Sequence, residues 1–426
     1  MVFTARATSG TFALVGAETA AAATGRRHGC RILGSEGQYT TTGRLWTWIG
    51  AVGLVLGLEA CGGPQGEVRS DTPAPRATAL RAEAQARLDQ GDVAGACRQL
   101  EQAIAIAPDD ADAWNAFGLV QQAGGDLGAA QRSFEQAIGL APRSYQAHLN
   151  LAVLLMRRGV SGRARTEFEQ AVEARPGDPL PYWNFAAALL DVGQPDQARE
   201  LLHTALGLDP RNGPAHAEMA RVESRAGRSG AALAQFAAAE SLGVATPVFW
   251  ANHGLELLNA GDYAAAEVRL LRATALDSTR AATWNHLGVA RLRQGQMPGA
   301  LVALRRARGL APEDEDIRYN LGSALVRSGQ FAAAASLLSA PRPARADLLA
   351  LCGMALRGDG RTVAAVPLLA EAARKAPGDV NVLNNYGVVL AETGDLPGAL
   401  DAWRRVLEIE PKNRFARDNL AARGGR

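Results

Sequence analysis

The sequence predicts an all-α protein built as a stack of helical hairpins, and three observations carry that expectation. From Ala77 onward, equivalent residues recur every thirty-four positions, a glycine marks the middle of each repeat, and a proline closes most of them. A period of this length belongs to architectures in which each unit buries its apolar face only against its neighbours. The chain has 426 residues, 47% of them apolar, and a formal charge of +2, so it can bury a large core while carrying no bias toward nucleic acid. Arginine clusters such as Arg305, Arg306 and Arg308 sit among apolar residues at helical spacing and read as solvated helix faces. Cys30, Cys61, Cys97 and Cys352 form no CxxC pair and have no zinc-like spacing to histidine, which leaves neither a disulfide framework nor a metal site.

The amino-terminal region, residues 1–60, reads as an extension followed by a signal peptide. Leu45 to Leu58 is an apolar run of fourteen residues preceded by Arg44, too short for a span of about twenty and suited to an h-region. It ends in Leu58, Ala60, Cys61 and Gly62, which resembles the lipobox of bacterial lipoproteins. The resemblance implies lipidation at Cys61, and Gly62 favours an outer-membrane anchor facing the periplasm. The alternatives are a short hydrophobic helix packed on the rest of the protein and a cytoplasmic location. Residues 61–76 are rich in Gly, Pro and charge without periodicity and read as a flexible tether.

In the repeats, the fourth position is bulky: Trp114, His148, Tyr182, His216, Trp250 and Trp284. The eighth is small: Gly118, Ala152, Ala186, Ala220, Gly254 and Gly288. Glycine holds the fifteenth position of ten units and alanine the twentieth, with a large apolar residue four later, including Phe134, Phe168, Phe236, Leu270 and Trp403. Small eighth and twentieth positions let two helices approach closely, and the bulky ones fill the space beside that contact. Glycine at the fifteenth suits the left-handed residue that ends the first helix, and the closing proline stops the second.

This pattern resembles the tetratricopeptide repeat from Ala77 to Asn413. The resemblance implies a right-handed superhelical solenoid of about ten helix-turn-helix repeats, with residues 414–426 as a capping helix and tail. The unit from Glu315 to Arg345 is three residues short and runs into Pro341 and Pro343, which predicts a kink separating repeats one to eight, residues 77–345, from repeats nine and ten, residues 346–413.

Asparagine recurs at the sixth position as Asn150, Asn184, Asn252, Asn320 and Asn385, and one residue earlier as Asn115, Asn285 and Asn384. By the resemblance, first helices line a concave groove, so these amides would grip a peptide backbone with a donor and an acceptor each. Between them lie Leu119, Val153, Met156, Trp183, Leu190, Leu255, Leu258, Val289, Tyr319 and Val388. The competing reading is that the asparagines satisfy local backbone groups. Lysine occurs in the repeats only at Lys375 and Lys412, which leaves no cationic clamp for a terminal carboxylate.

No stretch is left for a catalytic domain, and GxxxxGK[ST], HExxH and GxSxG are absent, so no enzyme, cofactor or metal is expected. The expected function is that of a scaffold in the bacterial cell envelope, binding a protein or peptide in its groove and held at the membrane by its lipid. Tetratricopeptide lipoproteins of this architecture assist assembly of pili, secretion channels or polysaccharide exporters. A cytoplasmic adaptor and a substrate-presenting partner of a glycosyltransferase are the alternatives.

Overall fold

A computed structural model describes residues 73–341 and 343–424, and the expected signal peptide, lipobox and most of the tether lie outside the described residues. Among the described residues there are twenty-one α-helices and no strands. They form ten helical hairpins and a last single helix, Arg414–Gly424. The first hairpin pairs Pro73–Asp89 with Val93–Ile106, so its helix takes in residues 73–76, which read as tether. A proline at the first helical position lacks only an N–H that would be unpaired there anyway.

The chain divides into two compact units, whose described parts are residues 73–256 and 257–424, and the division falls inside the helix Pro247–Ala260. In each unit, the two helices of a hairpin pack on each other, and each second helix packs on the first helix of the next hairpin. First helices of successive hairpins also touch, which lays them side by side along one face of the unit.

The hairpins close on one repeated contact. Alanine at the twentieth position is fully buried in all ten, from Ala96 to Ala399, and the residue four later is exposed by 2% or less throughout. That large side chain lies directly over the eighth position of the first helix. A Cβ built on Gly118 would lie 2.5 Å from the Phe134 ring, and one on Gly288 would lie 2.5 Å from Leu304. Gly322 under Leu338, Gly353 under Leu369 and Gly387 under Trp403 repeat the arrangement. Where the eighth position is Ala152, the ring of Phe168 stacks instead on Phe185 of the next hairpin, at 4.7 Å between centroids. Glycine at the fifteenth position has φ between 71° and 93° in every hairpin, the left-handed region that a side chain disfavours.

The turns carry a second regular device that the repeat pattern concealed. Asp110, Ser144, Asp178, Asn212, Asp314 and Asp379 cap first helices through their side-chain oxygens. Asp92, Asp126, Asp262 and Asp395 do the same for second helices. Each cap contributes about 1 kcal/mol by satisfying a backbone N–H that the helix leaves unpaired.

At the short repeat, the second helix, Phe331–Ser339, has nine residues where the other second helices have thirteen or fourteen. The core nevertheless continues through it: Leu321, Leu338, Leu348, Cys352 and Leu369 belong to one cluster running from Leu292 to Ala416. The apolar core is thus continuous across the point where the kink is expected, between residues 345 and 346. Two arginines brace the shortened connection. Arg318, 3% exposed, donates to the Pro341 carbonyl at 2.9 Å. Arg345 bridges Asp316 at 2.6 Å and Asp347 at 2.7 Å. Burial raises the Asp347 carboxyl, but the Arg345 guanidinium outweighs it and holds the group below the usual carboxylate range.

The glycine contacts make a testable contrast. Gly288→Val should lower stability by about 1–3 kcal/mol through overpacking against Leu304, read as a drop in the urea midpoint. Gly139→Ala, with nothing within 4 Å of its built Cβ, should raise stability by up to about 1 kcal/mol through helix propensity. Equal effects of the two substitutions would contradict the packing account.

Candidate protein-binding face

The face made by the first helices is where the sequence places the asparagines, and the structure sorts them by burial. Asn115, Asn184 and Asn320 are buried, at 8%, 1% and 6% exposure, as is Trp183 at 6%. Asn150, Asn252, Asn285, Asn385, Leu255 and Tyr319 are half-buried. Of the apolar positions between them, Leu190, Leu258 and Val289 are core, whereas Leu119, Val153, Met156 and Val388 are half-buried.

The amides are linked from hairpin to hairpin. Asn150 Nδ2 donates to Asn115 Oδ1 at 2.9 Å, and Asn320 Nδ2 donates to Asn285 Oδ1 at 3.0 Å. In both pairs the sixth residue of one repeat reaches the fifth of the repeat before it. The period alone does not reveal this one-residue offset, although the alternation of asparagine between the two positions is its signal. Asn184 turns inward, donating to the Leu180 carbonyl, and its Oδ1 is a buried acceptor without a partner. Asn385 donates to the Asn381 carbonyl at 2.9 Å, a local backbone bond. The structure thus links Asn115 with Asn150 and Asn285 with Asn320, binds Asn184 to its own helix, and lets Asn385 donate to its own helix and to Met354 Sδ of the preceding first helix at 3.5 Å.

Charge enters this face where the sixth position is not asparagine. Glu218 pairs with Arg221, which also bridges to Asp191 at 2.8 Å on the preceding first helix. Burial pushes the Glu218 carboxyl up, against the pull of Arg221. His286 holds the same position in its repeat, and desolvation, partly opposed by Asp314, pushes it down to about 4, so it is neutral near pH 7. The repeat pattern gave no sign of this ionic spot, because it rests on positions that vary between repeats.

The fourth position does more than fill space. Trp114 Nε1 donates to the Pro108 carbonyl at 2.9 Å, Tyr182 Oη to Pro176 at 3.1 Å, and Trp284 Nε1 to Ser278 at 3.0 Å. The Nε2 atoms of His148 and His216 lie 3.1 Å and 3.0 Å from the Pro142 and Pro210 carbonyls, and Arg417 donates to Pro411 at 2.8 Å. Each donor latches a first helix to the carbonyl six residues earlier, in the turn just past the end of the preceding second helix. The position therefore selects an N–H or O–H as well as bulk, which explains why tryptophan, tyrosine and histidine share it.

Among the described residues, no group of histidine, cysteine, aspartate or glutamate is arranged to hold a metal ion, and no helix is long and apolar enough to cross a membrane. Residues 71–318 match the family model described as the cilia and flagella-associated protein 70 C-terminal domain. Residues 291–352 and 353–414 each match a tetratricopeptide repeat model. No curated protein matches the chain. Among solved structures it is similar to the P58(IPK) TPR domain, at 16% identity over 82% of this chain and 97% of that one, with a TM-score of 0.36. A tetratricopeptide repeat protein from Parabacteroides merdae is 16% identical over 59% of this chain and 99% of its own, with a TM-score of 0.45. Pseudomonas aeruginosa pilF is 21% identical over 50% and 97%, with a TM-score of 0.44.

The latch at His148 carries a pH dependence. Its Nδ1 lies 2.7 Å from Glu167 Oε2, so a carboxylate and a carbonyl, both acceptors, face the two ring nitrogens and favour the cation. The Glu167 hydrogen bond raises the His148 pKa above 6.5 despite burial. A raised folded pKa gives stability that is complete below the unfolded value of 6.5 and is lost as pH rises through the folded pKa. Wild type should therefore lose stability relative to Glu167→Gln as pH is raised from 6.5, measured as the difference in urea midpoint. A difference that stays constant with pH would refute the charged latch.

Proposed function

As the chain belongs to the tetratricopeptide repeat family, with its larger part matching the cilia and flagella-associated protein 70 C-terminal domain, we propose that it is a non-enzymatic scaffold holding a partner protein along its first-helix face. The observation that carries this reading is the pair of asparagine links. In the Asn115–Asn150 pair, one amide spends its oxygen and the other its N–H on the link, leaving Asn115 Nδ2 as a donor and Asn150 Oδ1 as an acceptor. An extended peptide presents one acceptor and one donor per residue, which is the complement of such a pair. Each bond contributes about 0.5–1.5 kcal/mol net, so several in series are needed for useful affinity. Half-buried Leu255 in the amino-terminal unit, and Tyr319 and Val388 in the carboxy-terminal unit, supply apolar contact beside the amides of their own unit.

We further propose the bacterial cell envelope as the setting, with Cys61 as the lipidated residue and assembly of a pilus, secretion channel or polysaccharide exporter as the process served. The support is the signal-like run ending at Cys61. Metabolic labelling with a palmitate analogue tests the anchor: wild type should be labelled and Cys61→Ser should not. Labelling of neither would leave a cytoplasmic adaptor as the better reading.

The groove is tested by affinity capture with the tagged full chain, comparing wild type with Asn150→Ala, Asn252→Ala, Asn285→Ala and Asn385→Ala combined. A protein set retained by wild type and lost from the combined variant is the expected result. Identical lists would make the asparagines purely structural.

A further inference from the structure

The opposite face of the carboxy-terminal unit holds an unexplained surface. On the second helices Tyr263–Leu276 and Met297–Leu310, the outward side chains include Val268 at 46% exposure, Leu271 at 41% and Val302 at 63%. Beside them stand the exposed arginines Arg272, Arg305 and Arg306. Both helices pack against the first helix Ala281–Arg293 that lies between them in the chain. Val268 and Val302 are thirty-four residues apart, so the repeat sets them at the same register.

This composition departs from that of the other unit. The register of Val268 and Val302 is held by Arg98, Arg132, Thr166, Glu200 and Ala234 in earlier repeats, four of the five polar, and the register of Leu271 by Glu101, Glu135, Glu169, His203 and Ala237. The acids at the second register end with Glu169, and only in the two later helices are both registers held by large aliphatic residues or arginine, Val268 with Leu271 and Val302 with Arg305. Met297–Leu310 contains no acidic residue, and the one acid of Tyr263–Leu276, Glu267, is turned inward onto Arg291 at 2.8 Å. On a helical wheel Val302 falls between Arg305 and Arg306, and the strip is completed by Pro298 and Gly309.

We propose that this face docks on an anionic lipid bilayer. Aliphatic side chains of this size enter the boundary between headgroups and acyl chains, while arginine stems lie along that boundary with their guanidinium groups at the phosphates. The strip itself offers no serine, asparagine, glutamine or acid that would orient a polypeptide or select its sequence; beside it, Gln330 Oε1 accepts from Arg305 at 3.3 Å. The aliphatic residues equally distinguish it from a nucleic-acid surface, which would need basic and hydrogen-bonding groups without exposed Val and Leu. The inference stands on this face alone and is independent of lipidation at Cys61.

The test reads the face itself, so that any attachment through the amino-terminal region does not interfere. An environment-sensitive fluorescent amino acid is incorporated at position 302 of the full chain, and in a second protein at position 166, the same register in the other unit. Each is titrated with vesicles of phosphatidylcholine alone and with vesicles containing phosphatidylglycerol. The expected result is a blue shift at position 302 with the anionic vesicles only, and none at position 166. Combining Arg272→Ala, Arg305→Ala and Arg306→Ala should weaken the partitioning by roughly a hundredfold, since each basic residue near an anionic surface adds to the affinity. No shift at 302, an equal shift at 166, or a shift unchanged in the triple variant would overturn the proposal. A shift at 302 produced as strongly by soluble polyglutamate would overturn it too, reassigning the face to an acidic protein.

Discussion

The contact between the twenty-fourth residue of each repeat and the small eighth residue opposite it governs the rest of the structure. Phe134 over Gly118, Leu304 over Gly288 and Trp403 over Gly387 bring the two helices of a hairpin closer than a side chain at the eighth position would allow. Close approach fixes which faces of the two helices are buried, because only the residues beside that contact fall inside. It also fixes the turn. Helices so near must be joined within a few residues, and the left-handed glycine at the fifteenth position ends the first helix in time. Everything exposed on either face of a hairpin is what this contact leaves over.

Stacking of hairpins adds polar interactions to a shared apolar core. The fourth residue latches onto the carbonyl just past the end of the preceding helix, and the asparagines at the fifth and sixth positions join first helix to first helix. Such bonds add little free energy individually, but they are directional where apolar contact is not. A repeat can slide on a greasy interface; it cannot slide without breaking its latch. The short repeat illustrates the division of labour. It keeps the apolar contact, Leu338 over Gly322, but its second helix ends early, and in place of the missing turn Arg318 donates a hydrogen bond to the Pro341 carbonyl while Arg345 pairs with Asp316 and Asp347.

How much of this could be read beforehand follows from what the period samples. Features present in nearly every repeat, such as the fifteenth glycine, the twentieth alanine and the large residue after it, stand out by repetition, and the all-helical hairpin stack follows from them. The latch was half visible: bulk at the fourth position is plain from Trp114 or Trp284, but the shared donor emerges only when the carbonyl six residues earlier is seen within reach. The asparagine links span thirty-five residues, one more than the period, so alignment by register separates the partners it should join. Burial was the least legible property. Asn184 and Asn385 occupy the same position, yet one is 1% exposed and the other half-buried.

The same logic bears on where function can reside. The core claims the eighth, twentieth and twenty-fourth positions, the turns claim the fifteenth and the caps, and the latches claim the fourth. Two sets of positions escape these demands in part: the half-buried residues among the fifth, sixth and ninth positions on the first helices, and the outward strip on the second. Where such a residue makes no link to a neighbouring hairpin, substitution costs the fold little, and its composition can follow other demands. On the first helices that composition is amides with Leu255, Tyr319 and Val388 between them, and on two second helices it is Val268, Leu271 and Val302 among arginines. A solvated surface needs neither an asparagine row on one side nor bare aliphatic residues on the other. The two compositions depart in opposite chemical directions, which is the physical ground for proposing two surfaces with two kinds of partner.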